Sequence, residues 1–328
     1  MEAFHWITEQ LIGLFSLLGV DKQALKVAFE SYGLQPVWSL FRDVYLNPYV
    51  MLLAVPLWVL LGKMWPAEKP RSLSSGNLPL DFLYPIFSLP IEATIIVSGA
   101  ALINRAFATY VPFLDTNLLD GQPVSIQAIG AFLIVDFMFY VTHWLKHKVP
   151  WFWYFHAVHH SQRHVNLFTT FRNHPFEGLI NLLIKAVPIA IVGGSYPAWS
   201  LFLLFNNMWG YYIHANVRTN MGPLKYILVT PQNHRLHHSI EPEHLDRNFG
   251  ERLTIWDWMF GTLYKDFDVY PSSGVKGCEW IEEKRASLIS LGEAWLLQFF
   301  YPFYMIGSDI AKVFSRALRR ENSLGARL

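Results

Sequence analysis

Long apolar runs separated by short polar stretches dominate the first two thirds of the 328-residue chain. Residues 45–62 carry no charge over 18 positions, just enough to cross a hydrocarbon core of about 30 Å at about 1.5 Å per helical residue. Residues 82–103 hold one charge, Glu92, and residues 124–145 hold one, Asp136. These two predicted spans therefore place an acid at membrane depth, where such groups usually face a protein interior and carry function. Residues 178–214 hold only Lys185, yet one continuous helix of that length would reach about 55 Å. The break Gly193-Gly194-Ser195-Tyr196-Pro197 predicts instead a hairpin of two short arms, either spanning or re-entrant. The pattern predicts an all-α, multi-pass membrane helical bundle of about four to five spans, its last pair a short hairpin, with a histidine-rich helical cap.

Basic residues set the orientation. The connection 104–123 has only Arg105, whereas Lys146, Lys148, Arg163 and Arg172 follow the third span and many more follow His214. Residues 146–177 and 215–328 should thus share a cytoplasmic face, in a bacterial inner membrane or an endoplasmic reticulum. The expected organisation is an N-terminal segment, 1–43, whose stretch 11–20 can dip into the interface; membrane helices over 44–123; a catalytic unit over 124–268; and an amphipathic tail over 269–328. In that tail Lys312, Arg316, Arg319 and Arg320 fall on one helical face and Ile310, Val313, Phe314 and Leu318 on the other. This suits either a helix lying on an anionic membrane or one packed on its own domain.

Composition sharpens the picture. The chain is 52% hydrophobic and 16% charged, short of the roughly 25% charge of a soluble domain. A net charge of +1 without a basic tract leaves no nucleic-acid footprint. The single cysteine, Cys278, excludes an internal disulfide, an iron–sulfur cluster and a four-cysteine zinc site, so any metal must take nitrogen and oxygen ligands.

Histidine supplies them. Twelve of the 13 histidines fall between His143 and His244, where an even spread would place about four. Three clusters stand out: His143 and His147 in HWLKH; His156, His159 and His160 in HAVHH; and His234, His237 and His238 in HRLHH. Positions i, i+3 and i+4 are neighbours on a helix, so each cluster can aim two or three imidazoles at one point. Neutral imidazole ligates iron, zinc and copper. Eight histidines exceed one tetrahedral site and supply much of a two-metal site. His214, at the end of the predicted hairpin and two residues before Asn216, is a further candidate ligand. Asp136 lies two helical turns before His143 and is a candidate to orient a ligating imidazole through an N–H bond. Asn216, Asp246, Asn248, Asp257 and Arg172 are weaker candidates for the same supporting role, and His5 is remote and structural.

With these residues in view, the chain resembles the fatty acid hydroxylase and sterol desaturase superfamily of membrane-bound non-haem di-iron oxygenases. The resemblance runs over about residues 125–265. It rests on the ordered boxes and on their surroundings: VDFMFYVTHW, HAVHHSQRHVNLFTTFRNHP and TPQNHRLHHSIEPEHLDRNFGERLTIWDWMFGTLY. It implies that the eight box histidines and His214 hold two irons, with His174 of FRNHP a second-tier ligand. It also implies O2 as co-substrate, and hydroxylation of a C–H bond in a sterol or long-chain lipid, with desaturation the alternative.

The chain has no G-x-G-x-x-G loop and no cysteine set for a redox cluster, so the electrons must come from a separate ferredoxin- or cytochrome b5-type protein and its reductase. Two other classes compete. A membrane cytochrome would hold one haem between paired histidines inside the bilayer. A metal transporter or other metal-binding membrane protein would need a polar path through several spans, for which only Glu92, Asp136 and Lys185 are candidates.

Overall fold

A computed structural model describes residues 55–68, 78–114, 118–193, 205–206, 208–219, 221–276 and 288–325. His5, Cys278, residues 11–20, the first ten positions of the uncharged run 45–62, and Gly194 to Pro197 of the hairpin break lie outside the described residues.

Among the described residues the architecture is helical, with three isolated β-bridges and no strand. In chain order the helices are α1 (Val55–Met64), α2 (Leu78–Tyr110), α3 (Val124–Lys148), α4 (Pro150–His160), α5 (Pro175–Val192), α6 (Pro231–His237), α7 (Ile255–Met259) and α8 (Leu288–Gly325). Residues 208–214 add a further helical stretch that ends in His214. The longest packing contacts run between α2 and α5, α3 and α5, and α3 and α4.

Local chemistry explains the joints that matter for the site. Pro150 disfavours a helical Val149, which is extended at ψ 114°, so α3 stops there and α4 restarts at once with proline at its first turn. The two helices that carry five box histidines are thus hinged by a single residue. α6 is opened by a capping box in which Thr230 and Asn233 exchange side-chain and backbone bonds.

Among the described residues one helix, Val124–Lys148, is both long and apolar enough to cross a membrane, so the expected four to five spans are not all seen. α2 is longer still, at 33 residues, but is broken in character by Asp81, Pro85, Pro90 and Glu92. The expected span over 82–103 lies wholly inside α2. Large apolar side chains point outward from successive helices, including Ile86, Leu102, Ile129, Leu183 and Phe300. α8 has two characters. Its first half packs on the core through Leu291, Gln298 and Tyr301, whereas beyond residue 309 Ile310, Val313 and Phe314 are exposed although they form the apolar face. That distal stretch is not packed on its own domain among the described residues.

The connection from α4 to α5 is anchored to α2 by a buried ion pair. Asp81 accepts from Arg172 Nε at 2.6 Å, Gln162 Nε2 at 2.6 Å and Asn166 Nδ2 at 3.1 Å, and neither member of the ion pair is exposed. Removing one charge of such a pair leaves the other buried and unmatched, which costs about 3–5 kcal/mol, whereas replacing both by apolar groups is often neutral. Asp81→Leu should therefore destabilise the detergent-solubilised protein by that amount, and adding Arg172→Met should restore most of it. Denaturant unfolding of the single and double variants checks this, and equal losses in both would remove the pair from the account.

Candidate metal centre

The structure brings nine histidines from four parts of the chain into one buried volume. They divide into two groups, His143, His147, His156, His160 and His237 in one, and His159, His214, His234 and His238 in the other. Within each group the candidate ligand nitrogens all lie within 4.8 Å of one another. The groups adjoin, with the His160 and His238 rings stacked at 4.3 Å between centroids.

Each HxxHH box is shared between the groups rather than aimed at a single point. His156 and His160 enter the first group while His159 enters the second; His234 and His238 enter the second while His237 enters the first. Helical geometry is the reason. Residues i and i+4 nearly eclipse, but the residue between them, at i+3, is rotated by about 100° from i+4 and so faces the other side. Both boxes obey the same division, so α4 and α6 each serve two sites at once.

The outer nitrogens are fixed by main-chain carbonyls. His143 Nδ1 donates to Phe249 O at 2.9 Å, His159 Nδ1 to Arg172 O at 3.1 Å, His237 Nδ1 to Arg247 O at 2.9 Å and His214 Nδ1 to Gly210 O at 2.8 Å. His156 Nδ1 donates to the Glu177 carboxylate at 3.0 Å, and Lys146 Nζ holds the same oxygen at 2.6 Å. A carbonyl can only accept, so in each case the proton sits on Nδ1 and Nε2 presents a bare lone pair inward.

The inward spacings then conflict with hydrogen bonding. His143 and His156 Nε2 are 3.1 Å apart, and His159 and His214 Nε2 are 3.2 Å apart. Two bare lone pairs at that distance repel unless a cation lies between them. Nitrogens about 2.1 Å from one ion and at right angles to each other would be about 3.0 Å apart, so the observed spacings fit a shared ion. Protonation is a poor substitute. Burial, joined by the positive Lys146 and neighbouring imidazoles, holds His156 well below the ordinary histidine range, and burial also depresses His160, His234 and His238. His237 is pushed down to about 4 by burial, against the pull of the Arg247 carbonyl. The donor set, neutral imidazole throughout, is that of a transition-metal site.

Other candidates from the sequence fall elsewhere. His174 stands outside both groups: its Nε2 donates to Phe299 O at 2.9 Å and its ring stacks on Phe299. Asp136 does not bond an imidazole. It accepts from Trp256 Nε1 at 2.8 Å and from Leu253 N at 3.3 Å, holding the segment before α7 against α3. The imidazoles it could have served have main-chain partners instead. Asn216 clasps Glu68, accepting from its N–H at 2.9 Å and donating to its carbonyl at 3.0 Å, while Glu68 pairs with the buried Arg235. Asn216 therefore acts at one remove, through a residue adjacent to His234. Asp246 pairs with Lys148 at 2.6 Å near the surface. His164 bonds Glu68 and His244 bonds Ser239, so neither joins the centre.

Asn248 and Asp257 shape the loop that presents the Phe249 carbonyl. Asn248 adopts φ 55° and bridges Asn233 O and Tyr264 N, while Asp257 accepts from Phe249 N and Gly250 N, each at 2.7 Å. A Cβ on Gly250 would sit 2.6 Å from Leu253 O and 2.7 Å from Asp257 Oδ2, so this position requires glycine. Glu177 was not among the residues picked out of the sequence. The available signal was an acid in the first turn of a mostly apolar helix that directly follows a histidine-rich stretch.

Residues 128–262 match the fatty acid hydroxylase family. This stretch is similar to the fatty acid hydroxylases. Across 247 residues, 71% of this chain and 72% of the relative, the chain is 28% identical to the ornithine lipid hydroxylase OlsE of Rhizobium tropici. It is 36% identical over 134 residues to the alkylglycerol monooxygenase of Homo sapiens and 33% identical over 138 residues to that of Danio rerio. The chain spans only 30% of the length of either monooxygenase. No solved structure matches the chain.

Glu177 positions His156 and balances the charge of Lys146, so Glu177→Gln should weaken metal binding by about 10–100-fold, the usual effect of losing such a partner. Chelator competition followed by metal analysis measures this, and unchanged affinity would leave Glu177 a purely structural acid. His160→Ala and His238→Ala, one from each group, should each lower the metal bound per chain, and full loading in either variant would remove that group as a site.

Proposed function

We propose that the chain is a membrane-bound non-haem di-iron oxygenase that hydroxylates a C–H bond of a lipid. The observation that carries this reading is the adjacency of two all-histidine groups in a stretch that matches the fatty acid hydroxylases, on the wall of a cavity of about 160 Å³ lined in part by residues of α2, α3 and α5. The nine histidines would hold two neighbouring irons, which when bound supply O2 activation. One oxygen atom enters the C–H bond and the other leaves as water, with two electrons and two protons from outside the chain.

The protein's own share is positional. Phe249, Arg172, Arg247 and Gly210 carbonyls orient the imidazoles, Glu177 fixes His156, and Asp136 and Asp257 hold the loop above them. The aromatic and aliphatic surroundings keep bulk water from the reacting centre. Polar members of the cavity wall include Asn173, Asn181 and Asn206.

Lipid as substrate class is supported by the relatives, named for an ornithine lipid and for alkylglycerols. A membrane setting is supported by the apolar span Val124–Lys148, by the outward-facing Ile86, Leu102, Ile129 and Leu183, and by the uncovered apolar face of distal α8. On this reading residues 124–268 form the catalytic unit of a bundle with four to five spans, its histidines at the cytoplasmic boundary. A ferredoxin- or cytochrome b5-type protein and its reductase supply the electrons.

Protein purified in detergent from iron-replete cells should contain about two irons per chain and show no Soret band. Turnover under 18O2 with host lipid extract and a reducing system should place one labelled atom in the lipid product, and His238→Ala should abolish labelling while leaving membrane insertion intact. A haem spectrum, or product label drawn from water, would overturn the assignment. Asp136→Asn should lower turnover more than it lowers stability, because its carboxylate positions the loop bearing Phe249; equal effects in rate assays and unfolding would restrict it to the fold.

A further inference from the structure

The cavity beside the histidines has a polar wall that hydrocarbon alone would leave unmatched. Its lining includes Asn181 from α5, Asn206 from the stretch before residue 208, Glu177 from the first turn of α5 and Arg252 from the loop ahead of α7. Asn206, Glu177 and Arg252 are all more than nine-tenths buried. Yet among the described residues Asn181 Oδ1, Asn206 Oδ1 and Glu177 Oε2 are buried acceptors without a partner, and Arg252 Nε is a buried donor without one. The other Glu177 oxygen is already taken by Lys146 and His156. Each such group left unmatched costs about 1–3 kcal/mol, and native interiors rarely tolerate several in one place.

The same cavity touches both histidine groups, through His143 and His156 on one side and His159, His214 and His234 on the other. Polar side chains from several segments therefore line the same cavity as the histidines. A fifth, Glu92 of α2, lines the same space and packs against the bare backbone of Gly178, where a Cβ would come within 2.7 Å of it.

We propose that this wall is a specificity site for a polar group on the substrate, and that the substrate carries a hydroxyl close to the carbon that is oxidised. A hydroxyl can donate to one of the three acceptors or accept from Arg252 Nε, whereas an alkyl chain does neither. Asn206 and Asn181 are then specificity-determining residues, and a plain hydrocarbon is excluded because it strands buried polar atoms. Calling the ligand a substrate rests on the oxygenase reading; the recognition itself does not.

The test uses the full chain in mixed micelles and two probes of equal heavy-atom count, 1-hexadecanol and n-heptadecane, offered at equal mole fraction in competition with one labelled lipid. Wild-type protein should bind the alcohol about tenfold more tightly, the weight of one well-made buried hydrogen bond. Asn206→Leu should erase most of that preference, and Asn181→Ala, at a less buried position, gives the same readout if the first variant fails to fold. Equal binding of both probes by wild type would mean that water alone matches these atoms and would overturn the proposal, as would an undiminished preference in both variants. Alcohol preference without 18O2 incorporation into either probe would support the recognition site and count against the oxygenase reading, so the two failures are separable.

Discussion

The centre depends on a conflict that the protein builds and cannot itself relieve. Fixing Nδ1 protons on carbonyls turns the Nε2 lone pairs inward at 3.1–3.2 Å, where they repel. Burial removes the easy escape of protonation. Only a cation makes these contacts favourable, so metal binding and the final packing of α3, α4 and α6 are linked in free energy. The surrounding helices and loops are the framework that keeps nine imidazoles converged before an ion arrives.

That framework relies on close joints more than on long helices. A single extended residue, Val149, separates α3 from α4, so the first two boxes are locked in mutual orientation. The Asp81–Arg172 pair fastens the loop whose carbonyl orients His159. The Asn248 turn, the glycine at 250 and the Asp257 carboxylate set the Phe249 carbonyl against His143. Most of the orienting groups are main-chain carbonyls, which rotate less freely than side chains and need no ionisation to accept a bond.

The polar cavity wall and the apolar exterior fit one picture of access. On the proposed reading, a lipid would leave the exposed aliphatic and aromatic surface and meet polar side chains in the cavity that the histidines line. Such an arrangement admits a chain by burial and selects it by one polar group, since apolar contact alone discriminates weakly between lengths.

Much of this was legible in the chain. The crowding and spacing of His143 to His238, the apolar runs and the lack of cysteine chemistry depend only on local order, and they pointed to a helical protein with a nitrogen-ligated metal centre. The tertiary structure decided what local order does not encode. It divided each HxxHH box between two groups, because the partner imidazoles lie on different sides of α4 and α6. It set His174 aside against Phe299 and gave Asp136 an indole in place of an imidazole. It brought in Glu177 and the carbonyls of Phe249, Arg172 and Arg247. Every residue has a carbonyl, so nothing in a sequence marks the few that will face a histidine; only the path of the chain in space selects them.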